Sequence, residues 1–266
     1  MNPHSPWSEE NSDFFNRPLA ESLTKSLQKI HTTRYVHLKK PFGHLNNVPL
    51  TPQQSFENKS HPTIDQFACD VRAISAFLGS SYTHSQMKQA GTFVQQIFPL
   101  KEYEQSNTAS SSKKSLALHT EHAAFNSRPD FLVIGCLRND EKIPTFVSAP
   151  DLRVLSKKTL EILRKTRVNE DFEESCILSE KNFDLSFRHD SVFIKLKSKK
   201  AEIAFQELTR LLKASTVNVI MESGDILVID NLKAAHGRES FDAKYNGRDR
   251  WILRSMVGSQ KMLNTK

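Results

Sequence analysis

The sequence predicts a mainly β protein with flanking helices, built as a sandwich or barrel and not as a parallel nucleotide-binding sheet. Short β-rich runs recur through the second half of the chain, at residues 116–118, 131–137, 145–148, 191–196, 217–220, 226–229 and 251–257. Several short strands separated by turns read as a sandwich or barrel. Only two helical patterns interrupt them, at residues 156–164 and 199–213, the second with Ala201, Ala204, Phe205, Leu208, Leu211 and Leu212 on one face. Neither GxGxxG nor GxxxxGK[ST] occurs, which removes the two common nucleotide cradles.

The N-terminal part reads differently. Residues 1–12 are polar and expected to fray. Phe14, Leu19, Leu23, Leu27 and Ile30 fall at helical spacing across residues 13–30, and residues 34–38 read as a short strand. Residues 40–61, rich in Pro and Asn, form a long loop, a candidate lid. A helix is expected from Thr63 as its cap, carrying Ile64, Phe67, Ala68, Val71, Ile74 and Phe77 and stopping at Gly79. Residues 101–114 are polar and end in NTASSSKK, a flexible loop by composition and a second candidate lid over residues 107–114. The expectation is one domain over residues 1–266, with residues 13–100 packed on a core at about residues 115–258.

Composition narrows the function classes. Apolar residues are 38% and charged residues 25% of the 266, so a buried core is feasible and wholesale disorder is not expected. Lys plus Arg number 37 against 30 Asp plus Glu, a net charge of +7 that draws anions to the surface or simply serves solubility. The basic clusters are short and not interleaved with aromatics, so nucleic acid is not expected as a partner. Cys69, Cys136 and Cys176 are scattered without CxxC spacing, against a disulfide framework or thiolate zinc site. The first residues lack the pattern of a secretory signal, and no run of about 18 apolar residues exists, so neither export nor a membrane is expected and the cytoplasm is the default setting.

The chemistry gathers in two segments. LALHTEHAAF places His119 and Glu121 two residues apart, and alternate residues of a strand share a face. A histidine far downstream, His236 in NLKAAHGRESF, expected in the loop after the apolar strand ILVID, is a candidate third ligand. Two imidazoles and one carboxylate occupy one face of an Fe(II) octahedron and leave three positions open, two for a bidentate oxo-acid and one for oxygen. By itself an HxE also arises by chance in a chain with ten histidines. In RDRWILRSMV, Arg250, Ile252 and Arg254 share one strand face and Trp251 and Leu253 the other. Inward arginines are costly unless each meets an anion, and guanidinium grips carboxylate in bidentate fashion. One anion fits the distal carboxylate of 2-oxoglutarate and the other the α-carboxylate of an amino acid; surface arginines on an edge strand are the plainer alternative.

The segments HTEHAAFNSRPDFLVIGCLR and GDILVIDNLKAAHGRESFDAKYNGRDRWILRSMV resemble the clavaminate synthase-like branch of the Fe(II)/2-oxoglutarate oxygenases, across residues 116–257, with a weaker echo at NNVPLTP. The resemblance implies a distorted double-stranded β-helix, or jelly-roll, core. It implies His119, Glu121 and His236 as iron ligands, Arg250 and Thr145 as 2-oxoglutarate-binding residues, and Arg254 as the holder of a substrate carboxylate. Asp190 in FRHDSVF stands where some arginine hydroxylases place a side-chain-binding carboxylate. A loop of serines before HxE contacts the substrate amino group in relatives; here Ser110, Ser111 and Ser112, or Ala109, fall near it. Glu121 disfavours halogenation, because halogenases of the superfamily lose this carboxylate. His122 is expected on the opposite face of the strand and not as a ligand.

The implied activity is hydroxylation of an unactivated C–H, at C3, of an L-amino acid or a derivative of one. Fe(II) and O2 serve as cofactor and oxidant, 2-oxoglutarate is co-substrate, and succinate and CO2 are co-products. Desaturation or cyclisation at the same site, an amino acid tethered to an acyl or peptidyl carrier protein, and a catalytically inactive metal-binding jelly roll are the alternatives.

Overall fold

The computed structural model describes residues 18–54, 61–83, 92–125, 128–168, 175–181 and 184–258. Residues 1–17, with the start expected to fray and the first residues of the expected N-terminal helix, and residues 55–60 of the expected 40–61 loop lie outside them. The helix is present as α1 (Glu21–Gln28), followed by the single turn α2 (Ile30–Thr33). Arg34 then takes a left-handed conformation, φ 66°, so strand β1 (Tyr35–Leu38) begins one residue later than its β-rich letters suggest.

Helix α3 (Pro62–Leu78) corrects one expectation. Its cap is His61, whose Nδ1 accepts from Thr63 N at 3.3 Å, with Pro62 at the first helical position. Thr63 instead donates its hydroxyl to Asn46 O, which ties the 40–54 segment to the helix start.

The core consists of antiparallel sheets. The larger runs β1–β10–β5–β12–β2, with β3 also on β12; its members are β2 (Ser80–Tyr82), β3 (Val94–Ile97), β5 (Phe131–Arg138), β10 (Ile226–Asp230) and β12 (Trp251–Gly258). The smaller runs β4 (Leu116–His119), β11 (Ala235–Arg238), β6 (Thr145–Ser148), β9 (Thr216–Val219). A separate hairpin joins β7 (Leu178–Lys181) and β8 (Asp184–Phe187).

The central strands of the larger sheet are apolar on both faces because both faces are covered. Val133, Leu137, Val228, Trp251, Leu253 and Val257 point toward α3 and its Phe67, Val71 and Ile74. Leu132, Ile134, Leu227, Ile229, Ile252 and Met256 point into the roll, where they meet Val147 and Val219 of the smaller sheet. Helices α4 (Lys157–Lys165) and α5 (Lys199–Ala214) cover the smaller sheet's outer side, packing Leu163, Phe205, Leu208 and Leu212 with Ala235. Gly135 allows the close approach of α3: a Cβ there would lie 2.8 Å from Phe67 Cε1 and 2.8 Å from Val71 Cγ2.

Two further expectations change. Residues 191–196 are not a strand. Asp190 Oδ1 accepts from Val192 N (2.8 Å) and Phe193 N (3.0 Å), and Ile194 N donates to Asp190 O, so the carboxylate closes a turn that outcompetes the β-prone letters. His236 is not in a loop but in β11, whose AHGR letters carry no β signal; flanking β4 and β6 impose the strand.

Candidate active site

The site forms where the smaller sheet opens. His119 is the last residue of β4 and His236 its register partner on β11, which brings the two imidazole rings to 4.3 Å between centroids. Glu121 lies past the strand end, so strand alternation does not aim it. The fully buried Asn231, just after β10, does this instead. Its Oδ1 accepts from Glu121 N at 2.7 Å, and its Nδ2 donates to Glu121 O (3.2 Å) and Pro129 O (2.8 Å). Glu121 Oε2 then stands 3.6 Å from His236 Nε2 and 3.8 Å from His119 Nε2.

These three side chains offer ligand atoms within 4.8 Å of one another. His119 Nδ1 donates to Ala117 O at 2.9 Å, which turns Nε2 toward Glu121. Burial, then neighbouring His119, pushes the His236 imidazole down to about 4, so at neutral pH it is an uncharged donor. Burial opposes ionisation of Glu121, but Arg254 and the two histidines outweigh it and hold the carboxyl well below its usual range. Burial opposes protonation of His119, but Glu121 and the Ala117 carbonyl outweigh it and raise the pKa of that imidazole. Two imidazole nitrogens and one carboxylate are the donor set that suits Fe(II) with open positions.

Arg250 and Arg254 do face inward. Arg250 is 8% exposed, and its Nη2 donates to Thr145 Oγ1 at 2.9 Å. Its Nε has no hydrogen-bond partner, and it forms no ion pair with a carboxylate among the described residues. Burial lowers its pKa, as expected for a guanidinium with no anion beside it. Arg254 donates from Nη1 to Glu121 Oε2 at 2.7 Å, and from Nε and Nη2 to Gln95 Oε1 at 3.2 and 2.8 Å.

A cavity opens beside His119 and Glu121, walled by Ala109, Leu118, His122, Phe125, Asp190 and Arg254. Asp190 is on this wall with one carboxylate oxygen committed to its turn. His122 corrects the expectation of an opposite face. The chain has left the strand, His122 adopts φ 56°, and its Nε2 lies 3.9 Å from Glu121 Oε1. The serine loop is also not loose. Ser110, Ser111 and Ser112 are buried, and Arg238 Nη2 donates to Ser111 O and Oγ at 2.8 and 2.9 Å, so Asn107, Thr108 and Ala109 face the cavity instead.

The sequence reading missed Asn231 and Gln95. Asn231 is one polar letter in VIDNLKAAH, without a pattern to mark it. Gln95 did leave a signal, a buried Gln pair inside the apolar run FVQQIF.

Residues 156–256 match the model of the taurine catabolism dioxygenase TauD, TfdA family, a stretch that includes His236, Arg250 and Arg254. Over this stretch the chain is similar to the TauD/TfdA family. Among curated relatives it is 27% identical over 205 residues to the L-ornithine/L-arginine 3-hydroxylase of Catenulispora acidiphila, covering 63% of this chain and 60% of that protein. It is 31% identical over 171 residues to the L-lysine 3-hydroxylase of the same organism, covering 57% and 48%. The matches thus span about half to three fifths of these relatives' own length. Among solved structures, the non-haem iron oxygenase OrfP in complex with Fe and alpha-ketoglutaric acid superimposes with a TM-score of 0.81 at 26% identity, over 91% of this chain and 81% of that one. This TauD/TfdA likeness accords with the jelly-roll expectation. No helix among the described residues is long and apolar enough to cross a membrane.

Proposed function

We propose that this chain is a non-haem Fe(II)/2-oxoglutarate-dependent oxygenase that hydroxylates an unactivated C–H, at C3, of a free L-amino acid or a close derivative. The observation that carries this reading is Arg250, a buried guanidinium with no described carboxylate to neutralise it, on the same strand face as Arg254, which touches the Glu121 of the two-histidine, one-glutamate cluster. An uncompensated buried charge is costly, and a dicarboxylate reaching from the ligand cluster to Arg250 removes that cost.

In this reading His119, Glu121 and His236 hold Fe(II), while Arg250 and Thr145 hold the far carboxylate of 2-oxoglutarate. Bound together, the metal and co-substrate supply, with O2, the oxidant for the C–H bond, giving succinate and CO2. The chain's own work is orientation and exclusion of water. Asn231 fixes the Glu121 main chain, and Ala117 O fixes the His119 ring. Arg254 grips the substrate carboxylate, and Asp190, also on the cavity wall, receives a hydrogen-bond donor of the substrate side chain. A carrier-bound thioester has no free carboxylate for Arg254, which is why the free amino acid is preferred over a tethered one.

The test is anaerobic addition of Fe(II) and 2-oxoglutarate, followed by the visible band such complexes develop. The wild type is expected to show it. Arg250→Ala removes one side of a buried charge pair, at a cost of about 2–5 kcal/mol, so half-saturation moves to about 30-fold more 2-oxoglutarate or beyond. A wild type that binds iron but develops no band at any 2-oxoglutarate concentration contradicts the proposal and favours an inactive metal-binding jelly roll.

A further inference from the structure

Glu121 presents its two carboxylate oxygens to different neighbours. Oε2 is the one turned toward both imidazoles, at 3.6 and 3.8 Å, and it is also the one that Arg254 Nη1 holds at 2.7 Å. Oε1 faces His122 instead. A guanidinium and a metal dication at one oxygen repel each other at close range in a site that excludes water, so the two compete for it. From the other side Arg254 is anchored by Gln95, its register partner on β3, through two donors to one amide oxygen. That amide is neutral. Among the described residues the one carboxylate in ion-pair contact with Arg254 is therefore Glu121, the same group that completes the ligand cluster.

We infer that Arg254 is a stand-in cation: it neutralises Glu121 while the site is empty of metal, and metal binding takes that carboxylate over and frees the guanidinium, still positioned by Gln95, for a carboxylate arriving from the cavity. The inference rests on the metal-centre reading proposed above. Its consequence is an ordered site. Before metal loads, Arg254 is occupied and a carboxylate ligand finds no free cation. After loading, a part-buried guanidinium lacks its counter-ion and the cavity attracts one. Metal and carboxylate ligand thus favour each other's binding without touching, through the Glu121–Arg254 pair that both must break.

The experiment is titration of metal-free protein with Co(II) by calorimetry, with melting curves of the metal-free forms alongside. Arg254→Gln is expected to lower the melting temperature of the metal-free protein and to tighten Co(II) binding about tenfold or more. Arg250→Gln, which removes a buried charge that does not touch Glu121, is expected to leave the Co(II) affinity within about threefold. A purely structural Arg254 gives a different signature: a lower melting temperature together with equal or weaker Co(II) binding, and that result overturns the inference. Should Arg254→Gln not fold, Arg254→Lys loses the fork on Gln95 but keeps a cation; Co(II) binding about threefold tighter supports the inference, and equal or weaker binding overturns it. Absence of Co(II) binding by the wild type refutes the metal centre itself, and the inference with it.

Discussion

Replacing Asn231 by Ala should damage the site from behind without touching any ligand. The side chain makes three hydrogen bonds, at 2.7, 3.2 and 2.8 Å, all to main-chain groups of Glu121 and Pro129. Each contributes about 1 kcal/mol net, and more where a buried N–H or C=O is left without a partner. Alanine cannot reach any of them, and full burial keeps water from replacing them. The loss is therefore about 3 kcal/mol of unfolding free energy, or roughly 6–12 °C in melting temperature for a chain of this size. Because the same bonds aim Glu121, metal affinity should fall about 10–100-fold, the usual effect of removing a group that orients a ligand. Urea unfolding of the metal-free protein gives the first quantity and Co(II) titration the second. Unaltered Co(II) affinity in a variant destabilised as expected would show that Asn231 supports the fold alone, and the account of how Glu121 is aimed would be wrong.

Two other substitutions test the scaffold. Gly135→Ala drives a methyl group into Phe67 and Val71 of α3 and should cost about 1–3 kcal/mol in urea unfolding; a neutral or stabilising result contradicts the close helix-on-sheet contact. His189 is buried, with Nδ1 donating to Leu118 O, Nε2 against Thr209 Oγ1 and its ring stacked on Phe205. Burial pushes its pKa down to about 4 despite the Leu118 carbonyl and Asp190, with His119 and Lys213 adding to the depression. The unfolded chain takes up the proton first as pH falls below about 6.5, so stability is full above that value and drops toward pH 4. The stability difference between wild type and His189→Gln should shrink by about 2–3 kcal/mol from pH 7.5 to 4.5, and a pH-independent difference refutes the assignment.

The legible part of this protein was the part written in pattern. The apolar runs at residues 131–137, 226–229 and 251–257 became the central strands of the larger sheet, because a strand covered on both faces needs apolar residues at every position. The alternation of Arg250, Ile252 and Arg254 against Trp251 and Leu253 also held, since a strand side chain can only alternate. What stayed hidden was set by tertiary contact. β11 has no β-prone letters and is a strand because it lies between β4 and β6. Residues 191–196 have such letters and are a turn because the Asp190 carboxylate caps their amides. The candidate site divides the same way. His119, Glu121, His236, Thr145, Arg250 and Arg254 carry chemistry in their side chains and could be picked out. Asn231 and Gln95 act only by holding others, and a single neutral amide leaves no periodicity to find. His122 was misplaced because strand alternation was extended three residues past the end of β4.

The most direct test of the central claim is succinate release from 2-oxoglutarate by anaerobically iron-loaded protein after oxygen is admitted, measured across the free L-amino acids. The account predicts stimulation by an amino acid bearing a basic or amide side chain, with hydroxylated product formed alongside succinate and both lost in His119→Ala. Iron-loaded protein that releases no succinate under any condition contradicts it.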